Sequence, residues 1–187
     1  MLARRIRERC RYLAGIELDP EAARLGAPFF DLAIEGNLSD GLEKDLGGPF
    51  DVIVAGDILE HLPNPEMVLK TLRRLVKDEG VLLVSLPNVA NVTVRWSLLS
   101  GRFDYAERGI LDKTHLRFFT SRTGRRLVEE NGFRVTAVTP TAMPVELAVP
   151  ALGRRPWAAA ARASASGLAR AVPGLFAYQF VFEAAPA

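Results

Sequence analysis

The sequence predicts an α/β domain built on a doubly wound, largely parallel sheet. Three stretches carry the prediction: "YLAGIELDP" from Tyr12, "FDVIVAGD" from Phe50 and "VLLVSLPN" from Val81. Each is a nearly unbroken apolar run that closes on an acid, an asparagine or a proline, as strands do when helices cover both faces of a parallel sheet. Helix-forming segments separate them, and strand alternating with helix is the pattern of this class.

In order, residues 3–11 read as the end of a helix and 12–17 as a buried strand. Asp19 and Pro20 then open a short helix, as N-cap and first helical residue. "FFDLAIEGN" supplies a second strand, and "GLEKDLGG" a loop or single turn. After the strand from Phe50, Asn64-Pro65 starts a helix with Val68, Leu69, Leu72, Leu75 and Val76 on one face, which Gly80 is expected to end. The strand from Val81 follows. Residues 89–119 then break the rhythm, in a connection long enough to serve as a binding lid; it carries Trp96, Phe103, Tyr105, Asp112 and His115. A helix from Ser121 to Asn131 stops at Gly132, and "FRVTAVTP" is a strand. Residues 141–174 turn to Ala, Pro and Arg, a covering segment with a helix in 154–170. In "LFAYQFVFEA", Phe176, Tyr178, Phe180 and Phe182 alternate with apolar neighbours, as in a buried last strand.

A chain of 187 residues with 49% hydrophobic and 25% charged content suits one core, so 1–187 is read as a single domain. Lys plus Arg number 24 against 22 Asp plus Glu, too even a balance to draw the whole molecule to nucleic acid. Arg4, Arg5, Arg7, Arg9 and Arg11 are more simply one solvated helix face. Cys10 is alone, which excludes an internal disulfide and points to a reducing compartment, the cytoplasm. No leader opens the chain, and no apolar run approaches the ~20 residues that span a bilayer. Arg154, Arg155, Arg162 and Arg170 beside Trp157 and Leu168 suggest a membrane-surface helix, but the alanines between them favour a helix packed on the sheet.

Open α/β sheets bind ligands beyond the carboxyl ends of their strands. Glu17, Asn37, the set Asp57, Glu60 and His61, and Pro87-Asn88 all fall there. In order and spacing, "GIELDP", "EGNLSD", "FDVIVAGDILEHLPNP", "GVLLVSLPN" and "GRFDYAERGILDKTHLRFFT" followed by "NGF" resemble the Rossmann-like class I S-adenosylmethionine-dependent methyltransferases. The likeness covers roughly residues 12–140 and is to the branch of the ubiquinone-pathway O-methyltransferases.

The resemblance implies S-adenosylmethionine as cofactor and a small-molecule or glycan hydroxyl as acceptor. Glu17 would take the ribose hydroxyls, Leu18 and Leu38 would border the adenine, and Asn37 would stand where the family usually has an aspartate on the adenine amino group. Ala55, Gly56 and Asp57 would pass beside the methionine moiety. Asp57, Glu60 and His61 form D-x-x-E-H, where the ubiquinone-pathway enzymes carry E-x-x-E-H, whose side chains are metal ligands in that family. A loop that only shapes the pocket floor is the preferred reading here. His115 and His61 are the two histidines of the chain, and a hydroxyl acceptor needs its proton removed, a task that suits imidazole near neutral pH. For His115, closing the pocket by bonding Asp112 or a backbone carbonyl is an equal alternative.

The family's glycine-rich turn is missing. Arg4 to Arg11 match the end of the family's first helix, so its first strand, central in the sheet, and that turn would lie upstream of Met1. The sheet is then N-terminally incomplete and open in its middle, and the chain as numbered is expected to bind cofactor poorly or not at all. A misassigned or truncated start is favoured over pairing with a second copy or a decayed relative. The rivals to the enzyme are a non-catalytic scaffold and, last, an NAD-dependent dehydrogenase.

Overall fold

The computed structural model describes residues 2–37, 46–143 and 158–187. Its elements are α1 (Leu2–Arg7), β1 (Ala14–Glu17), α2 (Pro20–Gly26), β2 (Leu32–Glu35), β3 (Phe50–Gly56), α3 (Pro65–Leu75), β4 (Val76–Pro87), α4 (Val92–Leu99), α5 (Ser121–Glu129), β5 (Phe133–Thr141), α6 (Ala158–Ala171), α7 (Pro173–Phe176) and β6 (Gln179–Pro186). Single 3-10 turns cover Ala27–Phe29 and Leu59–His61.

The strands form two sheets. β1 and β2 pair in parallel, while β3, β4, β6 and β5 lie side by side in that order. β3 and β4 are parallel, and β6 runs antiparallel to both its neighbours. Among the described residues β1 and β3 share no ladder, and each stands at the edge of its own sheet. The antiparallel last strand is as expected.

The core lies on the four-stranded sheet. Leu82, Val84 and Leu86 of β4 and Phe180, Phe182 and Ala184 of β6 alternate inward along their strands. Against them pack Val68, Leu69 and Leu72 from α3 and Leu127 and Val128 from α5. Helix α5 comes so close that a Cβ on Gly124 would stand 2.9 Å from the Phe182 ring and 3.0 Å from Leu86. Gly132 then turns the chain with a φ of +92°, open to glycine at little cost.

Four expectations need correction. The first helix ends at Arg7, because Asp31 draws the following chain away: its carboxylate takes Arg7 Nη2 at 3.0 Å and the Leu13 amide at 2.8 Å. Helix α3 ends at Leu75 and not at Gly80, since Val76 already pairs with Phe50. Val81 faces Val52, so residues 77–80 bulge out against Asp51 alone, and a Cβ on Gly80 would meet the Asp51 carbonyl at 3.0 Å. Asn64 makes no side-chain cap; its carbonyl takes the Met67 amide at 3.2 Å. Trp96, carried by the segment read as a binding lid, is 70% exposed on α4 and does not face the cavity floor formed by Glu60 and His61.

Asp19 caps α2 as read, its Oδ1 accepting the Ala22 amide at 2.7 Å. Much of "GLEKDLGG", together with Arg154, Arg155 and Trp157, falls outside the described residues. Of the covering segment, α6 packs toward β5 and buries Ala169. No helix among the described residues is long and apolar enough to cross a membrane.

Candidate active site

Parallel strands point their carboxyl ends the same way, and here those ends meet the start of antiparallel β6. Asp57 follows β3, Pro87 closes β4, Thr141 closes β5, and Tyr178 and Gln179 lead into β6. With the lid residues Asp112 and His115 they line a cavity of about 490 Å³.

Asp57 sits in the left-handed region, φ +53°. Its amide donates to Ser85 Oγ at 2.9 Å, while its Oδ1 accepts from Ser85 Oγ at 2.9 Å and Gln179 Nε2 at 2.7 Å. Two neighbouring strands thus hold a conformation that a non-glycine residue reaches only at a cost.

The 3-10 turn after Asp57 delivers Glu60 and His61 to the cavity floor, and the lid returns over them. The Leu116 and Arg117 amides both donate to the Glu60 carbonyl, at 2.8 and 3.1 Å. This places His115 against Glu60, its Nε2 4.0 Å from Oε1. The two histidine rings meet edge to face at 4.7 Å, Phe118 meets His115 edge to face at 6.2 Å, and Phe103 and Tyr105 pack against Phe118. Glu60 is 1% exposed, and neither of its carboxylate oxygens has a hydrogen-bond partner.

Burial sets the electrostatics. It pushes the Glu60 carboxyl up to about 8, with the charge of Asp57 adding to the effect. It also holds His115 below the ordinary histidine value, against the opposing effect of a bond to the Ile110 carbonyl. Both groups are therefore neutral near pH 7. Asp112 is lowered by the hydroxyl and amide of Thr114. Tyr178 is raised, by burial first and then by Asp57 and Asp112.

The hydrogen bonds fix both imidazole tautomers. His115 Nδ1 lies 3.0 Å from the Ile110 carbonyl, which can only accept, so Nδ1 carries the proton and Nε2 a lone pair. His61 Nδ1 lies 3.2 Å from the Thr114 carbonyl and 3.1 Å from the Thr114 hydroxyl, whose own hydrogen goes to Asp112 at 2.6 Å. It too must be the protonated nitrogen. The backbone-carbonyl alternative for His115 is therefore realised, and it leaves Nε2 available.

The structure thus brings Asp57, Glu60, His61 and His115 to one cavity. Glu17 stands apart, exposed at the end of β1, with Oε1 accepting the Asp19 amide at 3.1 Å. It borders a smaller cavity of about 210 Å³ with Gly15, Ile16 and Ala22. Leu18 is 63% exposed and Asn37 is exposed beyond β2. Ala55 is buried in the sheet, Gly56 is exposed at the end of β3, and Leu38 lies outside the described residues. Gln179, Ser85 and Thr114 were not singled out by sequence; for Gln179 the signal was there, one amide in a terminal strand that is apolar but for Glu183.

Residues 2–138 match the family model described as a methyltransferase domain. A 39-residue stretch is 38% identical to the ubiquinone biosynthesis O-methyltransferase of Glaesserella parasuis serovar 5, covering 21% of this chain and 16% of that enzyme. Among solved structures, a Thermotoga maritima S-adenosylmethionine-dependent methyltransferase, a possible histamine N-methyltransferase, superposes with a TM-score of 0.59 at 15% identity, over 92% of this chain and 72% of its own. A TehB-like S-adenosylmethionine-dependent methyltransferase from Corynebacterium glutamicum also gives 0.59, at 14% identity, over 100% and 74%. At such identities the likeness speaks for the fold. The family match covers most of the sequence, and the chain belongs to the methyltransferase-domain family, with the fold of the S-adenosylmethionine-dependent enzymes.

Proposed function

We propose that the domain transfers the methyl group of S-adenosylmethionine to a hydroxyl of a small molecule or glycan held in the larger cavity. The observation that carries this is the convergence of His61, His115 and Glu60 beside Asp57, at the strand ends where the fold class binds its ligands. A chain that kept only the fold as a scaffold would have no use for a buried, unpartnered carboxyl beside two imidazoles.

Bound, the cofactor supplies a sulfonium methyl as electrophile. The protein's part is to hold it and align the acceptor. Glu17 suits the ribose hydroxyls, since an exposed carboxylate fixed at one oxygen presents an acceptor at a strand end. Asn37 and Leu38 are assigned to the adenine, with Leu18. Ala55, Gly56 and Asp57 are assigned to the methionine moiety, where the missing side chain of Gly56 allows close approach. The acceptor's proton passes to the histidine group, where His115 is neutral and keeps Nε2 free.

Labelled S-adenosylmethionine offered with a panel of phenolic and sugar hydroxyls tests this. His115→Ala is expected to lower kcat by ~10²-fold or more. Glu17→Ala should instead raise KM for the cofactor. Turnover unchanged in both variants, or no transfer to any hydroxyl, overturns the reading.

A further inference from the structure

One side chain in the cavity wall has no task in the methyl transfer proposed above. Tyr178 enters β6 with its backbone fixed on both sides: its amide donates to the Thr141 carbonyl at 2.8 Å, and its carbonyl accepts the Asn88 amide at 2.9 Å. The ring is half-buried and lines the larger cavity. The lid passes its hydroxyl at Gly109, in the left-handed region with a φ of +104°, and a Cβ there would stand 3.1 Å from the Tyr178 oxygen. Glycine lets the lid come close without crowding the hydroxyl.

We propose that Tyr178 orients the methyl acceptor, its hydroxyl donating a hydrogen bond to a second, uncharged oxygen of the same molecule. The inference rests on the methyl transfer proposed above and narrows its acceptor to a molecule with at least two oxygens, one methylated and one held.

Three observations carry it. The first is where the donors of the cavity are spent. Gln179 Nε2 is committed to Asp57 at 2.7 Å, the Thr141 hydroxyl to the Gln179 carbonyl at 3.3 Å, and the Nδ1 protons of His115 and His61 to the Ile110 and Thr114 carbonyls. Among the described residues nothing accepts the hydrogen of Tyr178, although Asp57 and Asp112 line the same cavity; the Oδ1 atoms of both are taken by other donors. The second is charge. Burial first, and then Asp57 and Asp112, raise the Tyr178 hydroxyl above its ordinary value, so near neutral pH it is a donor and not a phenolate. No Lys or Arg is among the described residues that line this cavity, so the two carboxylates repel an anionic ligand and leave an uncharged oxygen as the partner. The third is the choice of residue. The same segment uses Phe180 and Phe182 where packing alone is required, both buried in the core, and carries a hydroxyl where the ring meets the cavity.

An acceptor held only by its hydrogen bond to His115 Nε2 can still turn about that bond. A second bond, to Tyr178, removes the rotation and keeps the oxygen's lone pair aimed at the methyl carbon.

The full chain and Tyr178→Phe, offered matched pairs of acceptors with labelled S-adenosylmethionine, test this. The pairs are a phenol with and without a neighbouring methoxy oxygen, and a methyl glycoside with and without one ring hydroxyl. In at least one pair the wild type should prefer the oxygen-bearing member by about 5–10-fold in kcat/KM, chiefly through KM, and Tyr178→Phe should lose that preference. Circular dichroism and calorimetric S-adenosylmethionine affinity of the variant should match the wild type. A preference that survives in Tyr178→Phe, or that the wild type lacks in every pair, overturns the inference and leaves methyl transfer standing. Where neither protein methylates any member, the methyl-transfer reading fails and saturation-transfer NMR on the same pairs decides this one: binding of the oxygen-bearing members that is absent from the wild type, or undiminished in Tyr178→Phe, overturns it.

Discussion

His115 Nε2 stands 4.0 Å from Glu60 Oε1, and the two side chains are 5% and 1% exposed. The distance is too long for a hydrogen bond and too short for indifference. Glu60 belongs to the turn after β3, while His115 belongs to the lid. Their meeting depends on two lid amides donating to the Glu60 carbonyl, so backbone bonding puts the side chains where their own chemistry leaves them unsatisfied. That is the signature of a functional site: the fold supports an arrangement that stability alone would not choose.

Stability of the protein should fall as pH rises. Glu60 has a folded-state value of about 8 against 4.5 for the ordinary carboxyl. Below the lower value both states hold the proton and nothing is lost. Between the two, only the unfolded chain ionises, so stability declines and levels off above the higher value. The full effect is bounded at ~5 kcal/mol. Glu60→Gln cannot ionise. Melting curves should show it overtaking the wild type between pH 5 and 9, and parallel curves would refute the burial of an ionisable proton there.

Asp57 offers a backbone test. Its φ of +53° costs a residue with a Cβ roughly 1 kcal/mol or more, offset by the bonds its carboxylate accepts from Ser85 and Gln179. Asp57→Ala keeps the strain and loses the bonds, whereas Asp57→Gly loses both. Denaturant titration should find the glycine variant the more stable of the two by ~1 kcal/mol. The reverse order would mean that the conformation is not held in solution.

Much of this was legible in the sequence, for reasons that particular residues make plain. The strands of the core announced themselves because β4 and β6 are apolar on both faces, and Asp19-Pro20 marked a helix start by local chemistry alone. The error at Gly80 arose where tertiary contact overrode local signal: the apolar spacing continues through Val76, but pairing with Phe50 claims that residue for the sheet. Glu60 and His61 were visible as a motif. That His115, 54 positions beyond His61, completes their group depends on how the lid returns, which neighbouring residues do not encode. Asp57 illustrates the converse, since its place in the motif says nothing of the two other strands whose Ser85 and Gln179 hold its Oδ1.

Packing at Gly124 sets two effects against each other. Alanine in a helix interior gains ~1 kcal/mol over glycine. Here its Cβ would stand 2.9 Å from the Phe182 ring and 3.0 Å from Leu86, both enclosed in the core with little room to give. Overpacking of this kind costs ~1–3 kcal/mol, so Gly124→Ala should be destabilising on balance. A higher denaturation midpoint in the variant would show that α5 can lift off the sheet.

The lid's attachment yields the last prediction. Arg117 donates Nη2 to the Pro63 carbonyl at 2.7 Å and Nη1 to Glu66 at 3.2 Å, spanning from the lid to the start of α3. The ion pair is about two-fifths exposed on each side, so its direct contribution to global stability is at most ~1 kcal/mol. Its position matters more than its strength. The adjoining Leu116 and Arg117 amides carry the only backbone bonds described between the lid and Glu60, and Arg117 holds them in register from outside the cavity. Arg117→Ala should therefore leave the melting temperature within a few degrees of wild type while hydrogen exchange at Leu116 and its neighbours quickens. Unaltered exchange at those amides would mean that the lid is held by the His115 and Phe118 packing alone.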